Sequence, residues 1–137
     1  MLQALAEAEK ALAAEEIPIG AVVVFNNQVI GRGHNQTERL RDVTAHAEML
    51  ALTAASNYLG NKYLAECTLY VTIEPCVMCA GASYWAQLHA VVFGAEAPKV
   101  GFQRHGQLLH PRTKLRGGVH AAACAALMQQ FFGLKRK

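Results

Sequence analysis

The strongest constraint on folding is a strand–helix–strand segment in the middle of the chain. Residues 67–73 form an apolar run typical of a buried strand, and residues 89–94 form a second one. Between them, Pro75 suits the first turn of a helix over about 76–86. Because so short a helical connection returns the chain to the same sheet, the two strands are expected to pair in parallel through a right-handed crossover.

The first part of the chain predicts a helix followed by a hairpin. Apolar side chains at helical spacing indicate an amphipathic helix over 2–15. Its expected inner face consists of Leu2, Leu5, Ala8 and Leu12. Runs over 19–25 and 28–33 flank Asn26-Asn27 and predict a β-hairpin. The polar residues 34–43 are expected to form a loop.

The rest of the chain predicts two further helices and, between them, a segment without a clear periodic pattern. Thr44 is a good N-cap for a helix over about 45–58, with Met49 and Leu52 facing the core. Residues 97–118 predict loops and a short fifth strand near Leu108. The last helix is expected over 119–132, and its predicted inner face consists of Ala123, Leu127 and Phe131.

The order α-β-β-α-β-α-β-α predicts an α/β fold of three layers, an α/β/α sandwich. With the strand near Leu108, the sheet has five strands of mixed direction. The 137 residues are expected to form a single domain, 1–137. With a mean hydropathy of +0.14, no apolar stretch is long enough to span a bilayer, and no signal peptide is recognised. The chain is therefore expected to be cytoplasmic and to have no membrane partner.

The charge distribution favours a polyanionic partner. The formal net charge is +3, but all ten acidic residues precede position 97, whereas eight of the thirteen Lys and Arg residues follow it. Such an asymmetry favours nucleic acid over a small neutral ligand. Candidate phosphate contacts are Arg104, Arg112, Lys114, Arg116 and the closing run Lys135-Arg136-Lys137. A solvated basic tail is the alternative for that closing run.

Two short motifs indicate a metal site. His46-Ala47-Glu48 and Pro75-Cys76-Val77-Met78-Cys79 each lie at the predicted start of a helix. Cys76 and Cys79 are three residues apart, so both sulfur atoms project from one helix face, where the dipole favours thiolate. Zinc prefers thiolate and neutral imidazole ligands in a tetrahedron, so His46, Cys76 and Cys79 would fill three places. A fourth place left for water is the mark of a catalytic zinc site.

Glu48 is the candidate catalytic residue. Side chains two residues apart on a regular helix do not face each other. His46 and Glu48 therefore converge only if His46 lies at the very start of the helix. Glu48 would then reach the water without binding the metal, and would move protons in the reaction.

Other interpretations of the two motifs are weaker. A redox pair would explain Cys76 and Cys79 but not His46-Ala47-Glu48. A closed structural zinc site would need a fourth ligand, and no second closely spaced pair supplies one. The available candidates are His34, His89, His105, His110, His120, Cys67 and Cys124.

In these two motifs the chain resembles the zinc-dependent nucleobase deaminases, whose signature is H-x-E followed by P-C-x-x-C. Within that family it is most similar to the bacterial tRNA-specific adenosine deaminases. Matching segments are Ile17–Ala21, Thr44–Glu48, Leu69–Thr72, Glu74–Ala82, Val91–Ala95 and Cys124–Leu127. Together they extend over nearly the whole chain.

The resemblance implies a cytidine-deaminase-like fold, one zinc ion per subunit and a homodimer. It implies deamination of the wobble adenosine in the tRNA anticodon arm to inosine. It also implies that Asn35 contacts the nucleoside, that Ala47 lies against the target base and that Ile19 lines the pocket. Without the resemblance, Asn35 would be an ordinary turn residue at the end of a strand.

Some positions depart from the tRNA branch and leave other substrates open. Glu96-Ala97 stands where that branch usually has an Arg-Asp pair, and Tyr84-Trp85-Ala86 resembles the guanine deaminase branch. One alternative is therefore a deaminase of guanine or of another free nucleobase or nucleoside. Another is a non-catalytic RNA-binding subunit, although such subunits typically lack the glutamate that Glu48 provides.

Overall fold

The computed structural model describes residues 1–135 and has a mixed sheet between helices. Its elements are α1 (Leu2–Ala13), β1 (Gly20–Phe25), β2 (Gln28–His34), α2 (Thr37–Leu40), α3 (Ala47–Leu59), β3 (Thr68–Ile73), α4 (Val77–Ala86), β4 (Ala90–Ala95), a 3₁₀ turn (Phe102–His105), β5 (Lys114–Arg116) and α5 (Ala121–Lys135). Arg136 and Lys137, part of the basic run predicted to contact phosphates, lie outside the described residues. Within residues 1–135, no helix has the length and apolar content that crossing a bilayer requires.

The five strands lie in the order β2-β1-β3-β4-β5. β1 is antiparallel to β2 and β3, whereas β3 pairs with β4, and β4 with β5, in parallel. The predicted hairpin is present, because Asn26 and Asn27 both adopt the positive φ angles that a tight turn needs. The α/β fold and its mixed five-stranded sheet are therefore confirmed.

One end of the sheet gathers residues that are distant in the chain. Because β1 and β3 are antiparallel, the start of β1 lies beside the end of β3, and the Gly20 N–H donates to Thr72 Oγ1 at 3.2 Å. His34 pairs with Gly20, and Ile73 pairs with Ala95. We call this end, defined by Gly20, His34, Ile73 and Ala95, the site end.

The helices form the outer layers of the sandwich. α1 and α5 pack on one face of the sheet, and α3 and α4 lie on the other. The predicted inner face of α1 was partly wrong: Ala8 is buried as expected, but Leu2 is exposed, and Ala4, Glu7 and Ala11 are buried instead. Gly20 is the cause: a Cβ atom there would collide with the backbone of Ala4 and Ala8, so the helix lies too close for large side chains.

The predicted inner face of α5 was also partly wrong. Ala123 is exposed, and Cys124 is buried instead, with its sulfur against the Cα of Gly94. Phe131, seven residues later, is buried as expected, and Leu127 between them is half-buried. The close approach at Gly94 therefore turns Cys124, and not Ala123, toward the sheet in the first turn of the helix.

The segment 97–118 differs most from expectation. The fifth strand lies at Lys114–Arg116 and not near Leu108. Its three residues are all exposed, so backbone pairing with β4 holds it in place without an apolar side-chain pattern. The stretch 34–43 also contains one helical turn, α2, because the buried Glu16 carboxylate accepts the N–H groups of Glu38 and Arg39.

Candidate metal centre and active site

The start of α3 presents His46 and Glu48 to the same space. His46 is the N-cap residue, with an extended backbone (φ −74°, ψ 154°), and Glu48 lies in the first helical turn. The prediction that His46 precedes the regular helix is confirmed. Thr44 was wrongly assigned as the cap, because its side chain is held by Asp42 Oδ1 at 2.7 Å. Since Gly33 of β2 lets Ala47 approach closely, this helix start is fixed against the sheet.

The start of α4 presents the two cysteines. Cys76 is the N-cap residue with an extended backbone, and Cys79 lies in the first turn. Pro75 precedes the cap and does not form part of the first turn as predicted. Because β3 ends at Ile73, this helix begins at the site end of the sheet. Its two cysteines lie next to His46 at the start of α3.

The three proposed ligands converge. His46 Nδ1 lies 3.7 Å from Cys76 Sγ and 3.6 Å from Cys79 Sγ. All three ligand atoms lie within 4.8 Å of one another. In a tetrahedral site with Zn–S of about 2.3 Å and Zn–N of about 2.0–2.1 Å, nitrogen and sulfur ligands stand about 3.6 Å apart. The donor set and its spacing therefore fit a zinc ion.

The pKa values of the two thiols are shifted in opposite directions. A hydrogen bond from Cys79 stabilises the Cys76 thiolate and lowers the pKa of Cys76 to about 5. The same hydrogen bond, burial and the nearby Glu48 raise the pKa of Cys79. Since zinc takes both sulfur atoms as thiolates, its binding has to release a proton from this pair.

Glu48 is a buried carboxyl group beside the ligands. Only 4% of the residue is exposed, and burial is the main cause that raises the pKa of Glu48 to about 7. The negative charge of Cys76 adds to this effect, whereas His46 opposes it. A carboxyl group with a pKa near neutrality can both accept and donate a proton under ordinary conditions.

A cavity of about 480 Å³ opens above these groups. Its lining residues are Ile17, Ile19, Asn35, Thr37, His46, Ala47, Glu48, Ile73, Glu74, Cys76, Ala97, Val100, Met128 and Phe132. All three predicted substrate contacts, Ile19, Asn35 and Ala47, lie in this wall. The Asn35 N–H donates to the Ile19 carbonyl at 3.0 Å, which joins two of these residues.

The predicted phosphate contacts are not gathered at the cavity. Arg104 lies in an adjoining depression that shares Glu74 and Ala97 with the cavity wall. Arg112 donates to Gln87 just beyond the end of α4, and Lys114 pairs with Ala90 at the start of β4. Arg112 and Lys114 therefore lie toward the opposite end of the sheet within this chain. Arg116 pairs with Val92 in β4 and therefore lies between Lys114 and the site end of the sheet.

Glu74 was not predicted as a functional residue. Its buried carboxylate accepts the N–H of Ala97 at 3.1 Å and of Gln103 at 3.0 Å, and it fills the space beside Gly101. Glu74 thereby ties the irregular segment 97–103 to the end of β3, next to Cys76. A carboxylate directly before Pro75-Cys76 was the available sequence signal, but its partners lie more than twenty residues away.

Replacing Glu74 with Gln is expected to lower the free energy of unfolding by about 1–3 kcal/mol, because an amide cannot accept both N–H groups as the carboxylate does. Chemical denaturation measures this change. Glu66→Gln, at an exposed carboxylate near the start of β3, is the control and is expected to have little effect. Equal stability of the two variants would mean that Glu74 does not hold this segment.

Comparison with known proteins gives consistent results. Residues 1–95 match the family described as the cytidine and deoxycytidylate deaminase zinc-binding region. A tRNA-specific adenosine deaminase of Streptococcus pyogenes serotype M18 is 44% identical over 100% of this chain and 91% of its own length.

Solved structures of deaminases also have folds similar to that of this chain. One from a study of A-to-I editing by tRNA:A34 deaminases at the wobble position of transfer RNA has a TM-score of 0.84 and 38% identity. The match covers 90% of this chain and 94% of the other. A guanine deaminase from Nitrosomonas europaea has a TM-score of 0.81 and 26% identity, covering 96% of this chain and 81% of the other.

Proposed function

Because this chain belongs to the cytidine and deoxycytidylate deaminase family with its zinc-binding region, we propose that it hydrolyses the wobble adenosine of tRNA to inosine and ammonia. The observation that carries the chemistry is the buried Glu48 carboxyl group beside three metal-binding side chains in one cavity. The relatives support the substrate, since the tRNA-specific adenosine deaminase match extends over the full chain.

His46, Cys76 and Cys79 would hold the zinc ion, which when bound makes a water molecule acidic enough to act as a nucleophile near neutral pH. Glu48 takes a proton from the attacking water and passes it to N1 of the adenine ring. After the C6–O bond forms, Glu48 takes the second proton from that oxygen and transfers it to the departing amine. The C6–N bond then breaks, ammonia leaves and the base becomes hypoxanthine.

The walls of the cavity would position the nucleoside. Asn35 is 5% exposed and, tied to Ile19 through the backbone, can hydrogen-bond to the sugar or base without moving. Ala47 has no side chain beyond Cβ, so a flat base can lie against the start of α3 beside Glu48. A cavity of about 480 Å³ has the size of a small-molecule site, which a flipped-out nucleoside would occupy.

Guanine is the second candidate substrate, and two observations favour it. Ala97 lines the cavity where the tRNA branch usually has an acidic residue. The fold also superimposes closely on the guanine deaminase from Nitrosomonas europaea. A free base needs no phosphate contacts, however, and would leave the cations after position 97 without a role.

Parallel assays of the zinc-loaded protein distinguish the two substrates. We expect inosine in an anticodon stem-loop RNA with a wobble adenosine and no xanthine from free guanine. The control RNA carries cytidine at the wobble position and should be unchanged. Xanthine from guanine with the adenosine RNA untouched would replace the tRNA proposal with guanine deamination.

We also propose that the chain acts as one catalytic domain in a cytoplasmic homodimer. The groove between α3 and α4 supports the dimer, since it is lined by Met49 and Leu52 together with Trp85, which is 74% exposed. Met49, predicted to face the core, is only half-buried there. An apolar groove of this kind is typical of contact surfaces between subunits.

Trp85→Glu is expected to shift the protein from dimer to monomer in sedimentation, because it places a charge in the proposed interface. Tyr58→Glu, at an exposed aromatic residue of α3 outside the groove, should leave the dimer intact. A Trp85→Glu protein that remains fully dimeric would place the interface elsewhere.

A further inference from the structure

A buried carboxylate between α1 and β1 is not used by the proposed proton transfers. Glu16 is 2% exposed, and its two oxygens accept the N–H groups of Glu38 at 3.2 Å and of Arg39 at 2.8 Å. Both donors lie more than twenty residues further along the chain. Because a buried charge is costly unless hydrogen bonds compensate it, these two contacts have to be maintained in the folded protein.

The end of α1 fixes the backbone of Glu16. Glu15 follows the C-cap residue Ala14 and adopts a left-handed backbone, with φ 62°. The Glu15 N–H donates to the Leu12 carbonyl at 3.0 Å. The Glu16 N–H donates to the Ala11 carbonyl at 2.9 Å. This pair of bonds is a Schellman motif, in which the chain leaves a helix in one defined direction, so Glu16 is held in place before its side chain reaches α2.

The helical turn that Glu16 holds is not anchored by buried side chains. None of the four residues of α2 is buried. The loop around α2 is closed by its own backbone, since the Gln36 N–H donates to the Ala45 carbonyl at 3.0 Å. In the same loop, the Asp42 N–H donates to the Thr37 carbonyl at 3.1 Å. These bonds keep the loop compact, and the Glu16 carboxylate fixes it against the segment between α1 and β1.

Glu16 thereby joins two segments that form the cavity wall. Ile17 and Ile19 line the cavity directly after Glu16, and Asn35 and Thr37 line it directly before the two N–H donors. The Asn35 N–H, which donates to the Ile19 carbonyl at 3.0 Å, joins the segments at one point. The Glu16 carboxylate joins them at a second point. Two points of attachment fix the orientation of the residues between them, whereas one point alone would allow α2 to pivot.

We propose that Glu16 is a positioning residue for substrate binding, which acts by holding Asn35 and Thr37 in the cavity wall. This inference rests on the proposed function, because the substrate whose binding it favours is the wobble adenosine. Without the Glu16 carboxylate, α2 exchanges between the observed position and others, and the apparent affinity for substrate falls with the fraction of molecules in the observed position. The metal ligands and Glu48 lie at the starts of α3 and α4, so the chemical step itself does not depend on Glu16.

The test compares two substitutions of Glu16 with two controls on the wobble-adenosine stem-loop. Glu16→Gln keeps the shape of the side chain but turns an amide NH₂ group toward one of the two N–H donors, and Glu16→Ala removes both acceptors. Glu15→Gln makes the same change of charge at the neighbouring, exposed residue. Cys67→Ser, at a buried residue of the opposite end of the sheet, measures the effect of lower stability alone. Each protein is assayed well below its Tm.

Glu16→Ala is expected to raise KM by about tenfold, and Glu16→Gln by a smaller factor, while kcat stays within about twofold of the wild type. Both controls should keep the wild-type KM. The effect of Glu16→Ala should be smaller when Asn35 is already replaced by Ala, because both residues act through one contact with the substrate. The proposal is overturned by an unchanged KM in Glu16→Ala, by a similar rise in Cys67→Ser, or by equal effects with and without the Asn35 side chain.

Hydrogen exchange supplies a readout that does not depend on activity. The amides of Glu38 and Arg39, which donate to the Glu16 carboxylate, should exchange faster in Glu16→Ala than in the wild type, whereas the amides of β3 should be unchanged. Unchanged exchange at both amides would show that Glu16 does not hold α2 and would overturn the proposal. If the wild type deaminates free guanine and leaves the RNA unmodified, the proposed function fails, and the KM for guanine in the same variants decides whether Glu16 positions the cavity wall.

Discussion

Glu48→Gln is expected to lower kcat by about a thousandfold or more while the protein keeps its zinc. General acid–base catalysis by one side chain contributes about 10²–10⁴-fold, and in the proposed mechanism a single carboxyl group carries both proton transfers. Gln fills the same volume and leaves no charge to bury, so folding should not suffer. Single-turnover kinetics on the wobble-adenosine stem-loop measures the rate, and metal analysis measures the zinc content.

The control for this substitution is Glu9→Gln, at an exposed carboxylate of α1. It is expected to have wild-type turnover and wild-type zinc. Glu48→Gln turnover within a few fold of wild type would show that another group moves the protons. Loss of zinc from Glu48→Gln would instead show that Glu48 binds the metal.

Cys79→Ser is expected to remove zinc from the protein and to abolish activity. Cys79 is fully buried with its sulfur 3.6 Å from His46 Nδ1, so no other thiol of the described residues can take its place. Serine is a poor zinc ligand because its hydroxyl does not ionise readily. After dialysis, the measured zinc content should fall from one ion per chain to a small fraction of that. The Tm of the protein should also be lower.

Cys67→Ser is the matched control, because Cys67 is equally buried but lies at the opposite end of β3 from the cavity. It should retain one zinc per chain and its activity, even if burying a hydroxyl lowers its stability. Stoichiometric zinc in Cys79→Ser would contradict the assignment of Cys79 as a ligand. Loss of zinc in both variants would point to unfolding, not to ligand loss.

The metal-binding trio could be predicted from the sequence because its chemistry is local. Two thiols three residues apart at a helix start can be identified without the fold, and His46-Ala47-Glu48 supplies the third ligand and an acid in one short motif. The family resemblance added Asn35, Ala47 and Ile19, which the structure brings into the same cavity wall.

The helix faces could not be predicted from apolar spacing, because the sheet decides them. Gly20 brings α1 so close that Ala4 and Ala8 face the sheet, and Gly94 places Cys124 of α5 inward. Both effects depend on tertiary contacts between segments far apart in the chain. A pattern of large apolar residues along one helix contains no information about them.

The structure of segment 97–118 could not be predicted from its sequence for a related reason. β5 is held by pairing with β4, and the 3₁₀ turn is held by Glu74, a residue of another segment. Neither contact leaves a periodic signal in the segment itself. The same segment places Ala97 and Val100 in the cavity wall, so the least predictable part of the chain forms part of the candidate site.

X-ray absorption at the zinc edge tests most directly whether the centre is open for catalysis. We expect two sulfur ligands at about 2.3 Å and two lighter ligands, of which only one is an imidazole. This result would match His46, Cys76 and Cys79 with one place available for the reaction. A third sulfur or a second imidazole would contradict the assignment of a catalytic zinc centre, because a site closed by four protein ligands is structural.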